Sequence, residues 1–79
     1  MPTLLFVRGL RFFFYSNENN EPAHVHVMKG DAEGKIWLGT EIEIAYLHGF
    51  TKNEERDIIE IVEANKNNFI KKWHEYFNQ

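Results

Sequence analysis

The chain contains no cysteine, no long apolar run and no surplus of basic side chains. Without cysteine there is neither a disulfide framework nor a thiolate zinc site, and the usage fits a reducing compartment. The first apolar stretch, "LLFV" at residues 4–7, is broken at once by Arg8, Gly9 and Arg11, too early for a signal-peptide core. Nowhere does the chain approach the ~20 apolar residues of a membrane span. The expectation is a soluble, cytoplasmic protein. Glycine is sparse and scattered, with Gly9, Gly30, Gly34, Gly39 and Gly49 standing singly, so no phosphate-cradling loop is present. The hydroxyls near strand ends, Thr3, Ser16 and Thr40, have no nucleophile-elbow motif around them.

The net charge of −3 is placed unevenly. Residues 1–38 balance four basic against four acidic side chains, whereas residues 39–79 hold five basic and eight acidic ones. Phosphate neutralisation supplies most of the affinity of a duplex-binding protein, so this balance excludes a DNA duplex as partner. RNA enters only as the substrate of a small cleaving pocket. Seventy-nine residues make one domain, 1–79, which buries only roughly 60 % of the surface of its unfolded chain. A core that thin is often helped by a metal or a partner subunit.

What is present organises into strands followed by one helix. "LLFV" and "LRFFFYS" flank the turn signal Arg8-Gly9. Pairing Val7 with Leu10 puts Leu5, Val7, Leu10, Phe12 and Phe14 on one face, and Leu4, Phe6, Arg11, Phe13 and Tyr15 on the other. "SNENNEPA" is a loop by composition. "HVHVM" and "GKIWL" form a second hairpin around Gly30 and Asp31. That hairpin places Val25, Val27, Ile36 and Leu38 opposite His24, His26, Met28, Lys35 and Trp37.

"EIEIAYLHG" carries two signals. Thr40-x-x-Glu43 has the form of a helix capping box, yet Ile42, Ile44 and Tyr46 alternate with polar or small residues as a strand does. A three-residue loop would set Ile42 opposite Leu38 and Ile44 opposite Ile36, keeping one face apolar, and this favours a fifth strand. Thr51-x-x-Glu54 is a second capping box. After it, Ile58, Ile59, Val62, Phe69, Ile70, Trp73 and Phe77 recur at helical spacing along a helix from Lys52 to Phe77. The predicted fold is α+β: a small antiparallel sheet of four to five strands, made of two N-terminal hairpins and their extension, packed by one long C-terminal helix.

One helix covers one sheet face. The face left over carries Leu4, Phe6, Phe13, Tyr15 and Trp37 beside Arg11, His24, His26 and Lys35, and aromatic and Arg side chains are those enriched at interfaces. Phe6, Phe13 and Trp37 are therefore the candidate interface residues. The partner expected is a second small protein, with another copy of the chain as the alternative occupant.

Residues His24 and His26, at i and i+2 of a strand, stand side by side. Three roles compete for them. As acid and base they suit metal-free RNA cleavage, with Arg11 on the phosphoryl charge and Tyr15 bonding to or stacking on a base. As metal ligands they need a third donor, and His48, Glu18 and Glu21 are not at a recognised spacing, so no metal residue and no cofactor are assigned. As structural groups they pack against Trp37 and Met28 and cap the preceding loop. His48 and His74 read as structural or exposed.

"RGLRFFFYSNENNEPAHVHV", then "GKIWL", a Gly-Phe step and a helix ending "KKWHEYF", resembles domain of unknown function 4160, a family of small prokaryotic proteins. The likeness covers nearly the whole chain. Its most specific part is residues 11–15, residues 17–22 and His24-Val25-His26-Val27; Trp73 agrees as well, and Ala23 departs from an expected proline. The resemblance implies a compact α+β domain and a strand-like "EIEIAYLHGF". Members of the family lack an assigned activity, and their genes often lie beside another small domain in an arrangement that resembles toxin–antitoxin modules. It implies that this chain is the toxin-like half of such a pair, with His24, His26 and Arg11 as candidate active residues. The alternatives are a non-catalytic dimerising or adaptor module and a small metal-binding domain.

Overall fold

The computed structural model describes residues 3–15 and 21–77. Five strands, β1 (Thr3–Val7), β2 (Leu10–Phe13), β3 (His24–Lys29), β4 (Ala32–Leu38) and β5 (Ile42–His48), precede a single helix, α1 (Lys52–Phe77). The strands form one antiparallel sheet in the order β1-β2-β3-β4-β5, so each lies beside its sequence neighbour. The α+β fold expected from the sequence is the fold observed. The expected loop falls mostly on residues 16–20, Glu18 among them, outside the described residues.

Short turns set the register. Val7 faces Leu10 across Arg8-Gly9, whose φ angles of 56° and 78° are both positive, as a two-residue hairpin of the primed type requires. Lys29 faces Ala32 across Gly30-Asp31. Leu38 faces Ile42 across Gly39-Thr40-Glu41, and Ile36 faces Ile44, the pairing that the three-residue loop predicts. The capping-box form at Thr40 goes unused, and the Thr40 carbonyl instead accepts from the Lys66 ammonium. At Thr51 the box is real: the Thr51 amide donates to Glu54 Oε1 at 2.9 Å, and the Glu54 amide donates to Thr51 Oγ1 at 3.1 Å.

From α1, Ile58, Val62, Phe69 and Trp73 are fully buried against the sheet. Each such burial contributes about 1.5–3 kcal/mol. They meet Leu10, Phe12, Phe14, Val25, Val27, Ile36 and Leu38, so the helix covers the aliphatic face. Phe12 stacks on Phe69 with centroids 5.8 Å apart, and Phe14 meets Trp73 edge-on at 5.1 Å. At the other end of the helix, Lys29 pairs with Glu54 at 2.7 Å and Arg8 with Asp57 at 3.0 Å, tying the first helical turns to the sheet.

Two irregularities move residues from their expected face. β1 slips register between Thr3 and Leu5, and Leu4, expected on the outer face, packs toward the core beside Phe14 and Tyr76. β5 slips between Ile44, which faces Ile36, and Tyr46, which faces Lys35. Ala45 is the extra residue of that bulge. Tyr46 therefore joins the outer face and Leu47 takes its place over the core, so the simple alternation of Ile42, Ile44 and Tyr46 breaks at its last member.

Candidate functional site

The outer face is built in rows that cross the sheet. One row runs Thr3, Phe13, His26, Lys35, Tyr46, each residue in register with the next. The row on one side of it holds Phe6, Arg11, Met28, Glu33 and His48; the row on the other holds His24, Trp37 and Glu43. β3 is the central strand, and His24, Val25, His26 and Val27 are all buried. Its valines lie under the helix, whereas its histidines are enclosed by rings of the outer face and, at His24, by Trp73 of the helix.

His26 is 7 % exposed. Phe13 stacks on it at 5.5 Å between centroids, and Tyr15 meets it edge-on at 4.6 Å. Arg11 sets its guanidinium 5.0 Å from the Phe13 ring centre while Nε donates to Thr3 Oγ1 at 2.9 Å. Lys35 places its ammonium 4.3 Å from the Trp37 ring centre and pairs with Glu21 at 2.9 Å. Both cations on this face are thus held by neighbours within the chain.

His24 is fully enclosed, with no exposed surface. β2 leaves β3 after the pair Phe13–His26, so no β2 residue stands in register with His24. The helix fills that side: Trp73 brings its indole to 4.8 Å from the imidazole, with Trp37 at 5.3 Å and His26 at 5.0 Å. Nδ1 lies 2.9 Å from the Pro22 carbonyl, an oxygen that only accepts, so Nδ1 carries the proton and donates. His24 thereby pins the end of the loop to the sheet and seats the helix. The two imidazoles meet edge to face, the packing that aromatic rings prefer.

His24, His26, Tyr15, Phe13, Trp37 and Arg11 are brought together as the sequence predicts. Phe6 is in register with Arg11 but stands 67 % exposed at the sheet margin. Phe13 corrects the expectation of an accessible interface residue: it is 1 % exposed, because His26, Tyr15 and Arg11 close over it. Trp73 is the member that strand-face reasoning leaves out; its place in the resembled pattern was the available signal. His48 stacks on Tyr46 and, like His74, is exposed. Among the described residues no three His, Asp or Glu side chains gather in a metal-holding group. No helix among them is long and apolar enough to cross a membrane.

Fold and site define a small α+β domain whose central strand carries an enclosed, ring-packed histidine pair. The family model Domain of unknown function (DUF4160) matches residues 9–74, and the chain belongs to that family. The match takes in the histidine pair, the rings around it and Trp73. Neither the curated proteins nor the solved structures contain a match to the chain.

Proposed function

We propose that this protein works by binding a second small protein through the sheet face opposite the helix, and that the histidine pair builds that face. The burial of His24 carries the reading. A group with no exposed surface, sealed by Trp37, Trp73 and His26 and bonded to Pro22, is placed to hold structure together rather than to meet a substrate. On the same side, Phe6 and Tyr15 keep 67 % and 36 % of their surface exposed, a contact area for a partner. The gene arrangement that the resemblance implies supports taking that partner as the other half of a toxin–antitoxin-type pair, with this chain as the toxin-like half.

A second reading keeps RNA cleavage at this face. It draws on the contact of His26 with Tyr15 and on Lys35 in register beside His26, which together supply a proton carrier, a phenol and a cation. A metal-binding role has two imidazoles to offer and, among the described residues, no grouped third ligand. Native mass spectrometry of the chain purified from its host tests the first reading. A stoichiometric companion lost in Phe6→Glu supports it, and a companion retained unchanged refutes the placement on this face. Relief of growth arrest by His26→Ala, with folding intact, would replace it by the catalytic reading.

A further inference from the structure

The strand order leaves β5 at one edge of the sheet, paired among the described strands with β4 alone. Such an edge is a template for pairing unless it is blunted. β5 carries no proline and no lysine; its bulge at Ala45 interrupts the edge, so the regular stretch on offer is residues 42–44, where Ile44 is 41 % exposed. Beside it the helix packs on the strand through Ile42 and Leu47 but leaves open clefts at the margin. Two adjoining clefts run along this margin, one lined by Ile42, Ile44 and Ile59, and both bordered by Glu63. The cleft over Ile42, Ile44 and Ile59 has an apolar floor, the other is mainly polar around Ile42, and both have an acidic rim, with Glu41 on the turn, Glu43 on the strand and Glu63 on the helix. No ion pair engages these three carboxylates among the described residues. The one cation in the lining, Lys66, is spent on the Thr40 carbonyl at the far end.

We propose that the β5 edge is a strand-addition site for an extended, basic segment of another protein. A sixth strand would pair with the outward groups of β5. Its inward apolar side chains would fall on Ile42, Ile44 and Ile59, and its outward lysines or arginines would reach Glu43 and the neighbouring Glu41 and Glu63. Main-chain pairing supplies affinity in this mode and the alternate side chains supply selectivity. Charge decides the occupant. A second copy of the chain would bring its own Glu41 and Glu43 to the same margin, and each copy already carries a net charge of −3, so like charges oppose self-pairing. A basic strand is attracted. This margin meets the outer face proposed above only at Glu43, because Ile42 and Ile44 belong to the rows over the core.

The test uses the full chain and a capped, fluorescein-labelled peptide of ten alternating valines and lysines, with a valine–glutamate peptide as control. Anisotropy should show saturable, salt-weakened binding of the lysine peptide alone. Amide exchange should slow along β5 and leave β1 unchanged. The double variant Glu43→Lys/Glu63→Lys, both exposed positions, should bind about tenfold more weakly. Ile44→Lys, also exposed, should weaken it without loss of the far-ultraviolet helix signal. Failure of the lysine peptide to bind, equal binding of both peptides, or protection confined to β1 would overturn the proposal. So would a β5-mediated homodimer that Ile44→Lys dissolves. The Phe6→Glu variant should bind the peptide normally, so this test and the outer-face test fail independently.

Discussion

Replacing His24 separates a structural from a chemical role for the histidine pair. His24→Ala deletes a fully enclosed ring packed against Trp37, Trp73 and His26 and removes the hydrogen bond to Pro22. Truncating a buried ring costs about 3 kcal/mol once the cavity is included. Loss of the hydrogen bond, which leaves a carbonyl to be desolvated without a partner, adds about 1 kcal/mol. The sum, about 4 kcal/mol, compares with a total stability of about 4–12 kcal/mol for a domain of this length, so the alanine variant should be marginal or unfolded at 25 °C. Two graded variants keep the argument measurable. His24→Phe keeps the ring and loses the donor, and should cost about 1–2 kcal/mol. His24→Asn keeps a donor near Nδ1 and loses the ring, and should cost about 2–3 kcal/mol. Urea denaturation followed by tryptophan fluorescence gives all three, because Trp37 and Trp73 flank the site. A cost below about 1 kcal/mol for alanine, or a phenylalanine variant as unstable as alanine, would refute the account. A folded His24→Phe that has lost a biological effect retained by the wild type would point back to chemistry.

The remaining predictions concern the sheet and the helix start. A methyl group at Gly34 would run into the Leu47 side chain and come within 3.0 Å of the Tyr46 carbonyl, so Gly34→Ala should destabilise by about 1–3 kcal/mol in the same denaturation assay. The Glu54 carboxyl is held below its ordinary pKa, first by the hydrogen bond from Lys29 and then by that from the Thr51 amide. A carboxylate with a depressed folded pKa adds stability that is present above its unfolded value, about 4.3, and is lost as the pH falls through the folded one. Glu54→Gln should therefore flatten the acid limb of the stability profile below that pH, and an unchanged limb would show the pairing to be without effect.

Much of this protein was legible as pattern. The period of two in "HVHVM" and "GKIWL", the turn signals at Arg8-Gly9 and Gly30-Asp31, and the capping box at Thr51 are local. Each fixes backbone geometry within a few residues; the helix from Lys52 to Phe77 follows from the capping box and the apolar stripe after it, and the pairing of Leu38 with Ile42 from a three-residue loop that keeps one face apolar. So does the gathering of His24, His26, Arg11, Tyr15 and Trp37 on one face, because register carries side chains with it. Alternation fails where a bulge adds one residue. Leu4 and Tyr46 change faces because the register slips beside them in β1 and β5, a shift that a period of two does not mark.

Tertiary structure alone decided what the histidines are exposed to. In the sequence His24 is one of two equivalent members of an alternating strand. In the fold it stands where β2 has parted from β3, and a tryptophan 49 positions later comes down from the helix to close that gap. Burial depends on which distant segment arrives at a place, and no local pattern encodes it. The chain by itself determines which chemistry is present and on which side of the sheet it lies. Packing determines that Phe13 and His24 are sealed, while Phe6 and the β5 edge stay open to a partner.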